Sequence, residues 1–85
     1  MKITVSSPDI TRVHTHCLVI PIYENDRWSA SARKVEAATQ GLISTLVKAG
    51  DIDGRPGTVL MTPAQSGVNA QRLLLVGVGE HPDAD

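Results

Sequence analysis

The chain has 85 residues, with eight Lys+Arg against nine Asp+Glu and a net charge of -1, so it has room for one small domain and supplies no global field for steering onto nucleic acid or an anionic membrane. Its longest apolar runs, residues 17–22 and 73–78, fall far short of the roughly 20 residues that span a bilayer. A single cysteine, Cys17, excludes an internal disulfide and points to a reducing, cytoplasmic setting.

The start, Met1-Lys2-Ile3-Thr4-Val5, has neither the apolar core nor the cleavage site of a secretion signal. Instead its alternation predicts a half-buried strand from Lys2 to Val5 that stops at Ser6-Ser7-Pro8. Cys17-Leu18-Val19-Ile20 is apolar without alternation, the pattern of a strand in the middle of a sheet. Pro21 has no amide to donate, so the ladder on that side is expected to end there, with Glu24-Asn25-Asp26 as a polar loop.

A helix is predicted to begin at Ser29 or Ser31, whose hydroxyls can accept from the free amides of a first turn. Val35, Ala38, Leu42, Leu46 and Ala49 recur at steps of three and four and form one stripe. A continuous helix from Ser29 to Ala49 would be roughly 30 Å long. Gly41 in its interior costs about 1 kcal/mol relative to alanine, and a close approach of helix to sheet is the expected reason for it. Lys48 suits the carbonyl end of the dipole, and Gly50 suits the left-handed stop.

After a polar turn holding Asp51, Asp53 and Gly54, Pro56-Gly57 leads into a strand from Thr58 to Thr62. A further strand, Leu73-Leu74-Leu75-Val76, breaks at Gly77-Val78-Gly79-Glu80. Strand, long helix and strand predict a right-handed βαβ crossover with parallel strands. The link from Met61 to Arg72 is too short for another crossover helix, so the expectation is an α/β domain with a mixed sheet. One long helix covers one face of such a sheet. The other face needs a lid, either from a copy of the chain or from residues beyond Asp85.

Four groupings bear chemistry-capable side chains. His14 and His16 would share one side of an extended segment next to Cys17, but a closed zinc site needs four ligands and His81 is the one further histidine. The stronger expectation is a polar lead-in to a strand, with Cys17 as a small buried hydrophobe. Asp51 and Asp53 read as a solvated turn. Gly77-Val78-Gly79 has the first two glycines of a dinucleotide fingerprint, yet Pro82 follows where a helix would open. Arg12, Arg27, Arg33 and Lys34 flank Trp28 and could touch phosphates, but with Tyr23 and Trp28 as the whole aromatic set there is no stacking platform.

From about Cys17 to Glu80 the order of parts resembles the N-terminal domain of the leucyl (cytosol) aminopeptidases. Gly41-Leu42-Ile43-Ser44 matches a helix segment G-x-I-S; Gly50, Gly54 and Gly57 match G-x-x-x-G-x-x-G; and Leu74-Leu75-Val76-Gly77-Val78-Gly79 matches L-L-x-G-x-G. The resemblance implies a macro-like domain and a parent enzyme that removes N-terminal amino acids, leucine preferred, with two divalent ions (manganese or zinc) in a cytoplasmic hexamer. It also implies a C-terminal catalytic domain of the same protein as partner. Residues 75–79 mimic the family's catalytic V-G-K-G-x-x-F-D-x-G-G, but Val78 stands in place of the lysine and no F-D-x-G-G follows. N-T-D-A-E-G-R, which carries metal-binding carboxylates, is absent too. The expectation is therefore a single domain over residues 1–85, the first part of a larger N-terminal domain, without catalytic, cofactor or metal residues of its own. The alternatives are a macro-like module that binds a nucleotide and a DNA-contacting regulatory domain, some bacterial members of this family being DNA binders.

Overall fold

The computed structural model describes residues 3–4, 10–24 and 28–80. Strand β1 (Ile3–Thr4) is followed by a 3-10 turn at Ile10–Arg12, β2 (Cys17–Tyr23), helices α1 (Ala30–Ala38) and α2 (Leu42–Lys48), β3 (Val59–Thr62) and β4 (Leu73–Gly79). The sheet order is β1-β2-β4-β3, with β1, β2 and β4 parallel and β3 antiparallel to β4. The α/β class, the mixed sheet and the central place of β2 agree with the sequence pattern. Lys2, Val5, the Ser6-Ser7-Pro8 stop and the Asn25-Asp26 part of the expected loop lie outside the described residues.

Several expectations need correction: the last strand does not break at Gly77 but runs on to Gly79, paired with the end of β2. The strand that follows the helices is not the parallel partner of β2: β3 takes the antiparallel edge, and the crossover closes one strand later on β4. The short 63–72 link permits an antiparallel return from β3 to β4 but no parallel one, and the more apolar β4 takes the central position.

Pro21 does not end its ladder. Leu18 N–H donates to the Arg72 carbonyl at 3.0 Å, so alternate residues from Leu18 onward face β4 and Pro21 faces the β1 side. The described pairing with β1 covers Cys17 and Leu18, and Pro21, turned to that side, takes no amide away from the ladder with β4. The Pro21 carbonyl on that side accepts instead from the Ser29 hydroxyl at 3.1 Å. β2 continues to Tyr23 with an irregularity between Ile22 and Tyr23.

The one long helix is two. Ser29 caps α1 as expected, accepting from Ala32 N–H at 3.0 Å, but α1 ends at Ala38. Gln40 adopts φ 59°, its N–H donates to Ala37 O at 3.4 Å, and Gly41 N–H donates to Glu36 O at 3.0 Å, the two closing bonds of a Schellman stop. Gly41 has φ 103° and no atom within 4 Å of where a Cβ would stand. Its role is thus the break between helices, not close contact with the sheet. The second helix stops as expected at Gly50, with Gly50 and Asp51 N–H donating to Val47 O and Leu46 O, each at 3.0 Å.

Leu18, Ile20, Leu73 and Leu75 project from one face of β2 and β4 into a core closed by Val35 of α1, Ile43 of α2 and Ile52 of the following loop. On the opposite face Val19 pairs with Leu74, which pairs with Met61, and Pro21 pairs with Val76, which pairs with Val59. Val59, Met61 and Val78 are 62%, 50% and 45% exposed. No described element lies over this row.

Candidate functional site

Two hollows lie at opposite ends of β2. At its C-terminal end, the loop after α2 returns across the ends of β2 and β4. Gly77 N–H donates to Thr58 O at 2.8 Å, Gly79 N–H to Gly54 O at 2.9 Å, and Glu24 N–H to Gly79 O at 3.0 Å. A methyl group at Gly77 would collide with the Arg55 carbonyl and the Thr58 hydroxyl, and one at Gly54 would come within 2.5 Å of the Tyr23 carbonyl oxygen. The glycines that resemble a phosphate loop are spent on packing backbone against backbone.

Asp53 anchors the same loop. One carboxylate oxygen accepts from Arg55 N–H at 3.1 Å and the other from Arg55 Nε at 2.7 Å. Both side chains are exposed, and the Arg55 backbone amide, aided by the Arg55 guanidinium, holds the Asp53 carboxyl below its ordinary range. Beside this loop, Pro21, Tyr23, Trp28, Ser29, Ile43 and Val47 line a cleft of about 60 Å³. Small-molecule sites occupy roughly 300–1,000 Å³. The cleft lies well below that range, and Ser29, which stands at the start of α1, already uses its hydroxyl on Pro21 and Ala32.

At the N-terminal end of β2, His14 and His16 are exposed and line a second hollow of about 160 Å³ with Thr15, Asn69 and Gln71. The link between β3 and β4 is tied down here: Asn69 N–H donates to Thr11 O at 2.8 Å, Asn69 Nδ2 to Arg12 O at 3.0 Å, and Gln71 N–H to Thr15 O at 3.0 Å. Cys17 is buried. Among the described residues no group of three or more His, Cys, Asp or Glu side chains is placed to hold a metal ion. His81, Pro82 and Arg27 lie outside the described residues.

The basic grouping divides. Arg12, Arg33 and Lys34 are exposed, the first on the 3-10 turn that packs beside α1. Trp28 is half-buried against the core, and its backbone bridges Ile22. Sequence reasoning missed Glu36: one of its carboxylate oxygens accepts from Ile43 N–H at 2.9 Å and from Ser44 N–H at 3.1 Å, and the other bonds the Ser44 hydroxyl. It thereby caps α2, whose own cap residue, Gly41, has no side chain to offer.

Residues 19–84 match the family model for the cytosol aminopeptidase family, N-terminal domain. The chain belongs to the cytosol aminopeptidase family. It is 41% identical over 83 residues to a "probable cytosol aminopeptidase" of Halorhodospira halophila, covering 98% of this chain and 17% of that protein. Proteins of the same description from Paraburkholderia xenovorans and Burkholderia multivorans are 45% and 48% identical over 64 residues, covering 75% of this chain and 13% of each relative. The chain thus spans less than a fifth of the length of these relatives. Within the cytosol aminopeptidase match lie both helices, the Asp53–Arg55 loop and strands β3 and β4; His14, His16 and Cys17 precede it. Among the described residues no helix is long and apolar enough to cross a membrane.

Proposed function

We propose that this chain is the first part of the non-catalytic N-terminal domain of a metal-dependent leucyl aminopeptidase and serves folding and assembly. The parent would act in the cytoplasm, release N-terminal amino acids with leucine preferred, and form a homo-oligomer, a hexamer by family likeness. The observation that carries this reading is the loop packed on β4. Gly77 and Gly79, which lie where a catalytic lysine segment or a phosphate cradle would need open backbone, are closed by Gly54, Arg55 and Thr58.

Two divalent ions, manganese or zinc, are implied for the parent. The donors described here do not fit them: Asp53 is engaged by Arg55, Cys17 is buried, and two exposed histidines fall short of a three-ligand catalytic set. The ions belong to the C-terminal catalytic domain, this segment's partner in the same protein. The macro-like nucleotide reading is disfavoured by the small cleft, and the DNA reading by the balanced charge.

Release of leucine from a chromogenic amide with added manganese or zinc tests this. The 85-residue chain is expected to show no turnover. Activity that copurifies with the chain and disappears in Asp51→Ala or Asp53→Ala would overturn the proposal.

A further inference from the structure

Among the described strands β3 lies at the edge of the sheet. Gly77 N–H donates to Thr58 O, and the register sets Leu60 opposite Leu75 and Thr62 opposite Leu73. In an antiparallel ladder hydrogen-bonded and non-bonded pairs alternate, so Thr58, Leu60 and Thr62 turn their backbone groups toward β4. The N–H and C=O of Val59 and Met61 point the other way, and β3 ends the sheet order among the described strands.

Protein edges are ordinarily guarded by a charge, a proline or a bulge. Thr58-Val59-Leu60-Met61-Thr62 contains none of the first two, Pro63 standing just beyond its end, and its pairing with β4 runs without a register shift. The nearest charge along the chain, Arg55, is paired with Asp53. The segment is also nearly symmetric about Leu60, with threonine at both ends and an exposed apolar side chain on either side of the centre.

We propose that β3 is a homodimerisation edge, pairing antiparallel with β3 of a second copy about a twofold axis at Leu60. In that register Val59 lies opposite Met61 of the copy, and Met61 opposite its Val59. These are the residues with outward backbone groups, so each pair exchanges two hydrogen bonds and all four outward donors are satisfied. Thr58 then faces Thr62, and no like charges meet. The two sheets become one, with both sets of helices on one side and the Val59 and Met61 side chains packed together on the other. Alternative registers shifted by one residue bring inward-turned backbone groups opposite outward ones and lose the bonds. This interface stands independently of the aminopeptidase reading.

Sedimentation of the 85-residue chain from micromolar to near-millimolar concentration, with two variants, tests the register. Val59→Lys with Met61→Lys sets lysine opposite lysine twice and is expected to weaken dimerisation about tenfold or more. Val59→Glu with Met61→Lys sets glutamate opposite lysine twice and is expected to restore it. Both side chains are exposed, and circular dichroism verifies that the variants fold. As a mutation-free measurement, hydrogen exchange at the Val59 and Met61 amides is expected to slow as the wild-type concentration rises. A wild type that stays monomeric, a double-lysine variant that dimerises unchanged, a glutamate–lysine variant as weak as the double lysine, or concentration-independent exchange at the two amides would each overturn the proposal.

Discussion

Gly77 shows how far residue identity reaches and where it stops. A glycine pair after an apolar strand is visible in the sequence, but the same spacing serves an anion cradle and a close backbone contact equally well. The deciding partners, Arg55 and Thr58, come from a loop some 20 residues earlier, and nothing in local spacing announces their approach. Because a Cβ at Gly77 meets a carbonyl oxygen of the Arg55 backbone, relief requires the loop to move. Gly77→Ala is expected to destabilise the fold by about 1–3 kcal/mol, the usual cost of overpacking, as read from the denaturation midpoint at unchanged slope. A neutral outcome would mean that the loop is not held against β4. Cys17, by contrast, was legible: an apolar strand context predicts a small buried hydrophobe, and it is one.

At the scale of elements, both outer ends of the helical region were readable. Ser29 and Gly50 cap where their chemistry says they should. The break between the two helices was not, because the apolar spacing continues across Thr39-Gln40-Gly41 and no proline interrupts it. The break re-aims the second helix. Ile43, which lies off the continuous stripe, becomes buried, while Ala49 on the stripe is exposed. Glu36 makes the joint possible by satisfying the first amides of α2, so Glu36→Ala is expected to cost about 0.5–2 kcal/mol, as loss of a helix cap does. Gln40 pays a left-handed conformation of roughly 1–2 kcal/mol. Gln40→Gly is expected to relieve part of it and raise stability by roughly 0.5–1 kcal/mol, since glycine is the residue usually found at this position. Thermal or urea unfolding of the two variants measures both signs. If Gln40→Gly destabilises, Gln40 is contributing contacts that outweigh its backbone strain.

For the whole molecule, composition and strand pattern already required two covered faces and offered helix for one. The structure divides the sheet in that way. Leu18, Ile20, Leu73 and Leu75 lie under the helices, and Val19, Leu74, Val76, Val59, Met61 and Val78 occupy the other side, the last three at least 45% exposed. The proposed pairing at the β3 edge would extend that apolar face across two copies without covering it. Each large side chain left in water forgoes about 1.5–3 kcal/mol of burial, and a contiguous patch of this kind marks an interface or an aggregation hazard. The 85-residue chain is therefore expected to bind an apolar-surface dye. If the chain is the first part of a larger domain, as proposed, extending it with the residues that follow in its aminopeptidase relatives is expected to abolish that binding and raise the melting temperature by covering the Val19–Leu74–Met61 row. Dye fluorescence and thermal unfolding of the two lengths test this directly. Absence of dye binding by the short chain, or equal melting temperatures for both, would show that the face does not receive a second layer.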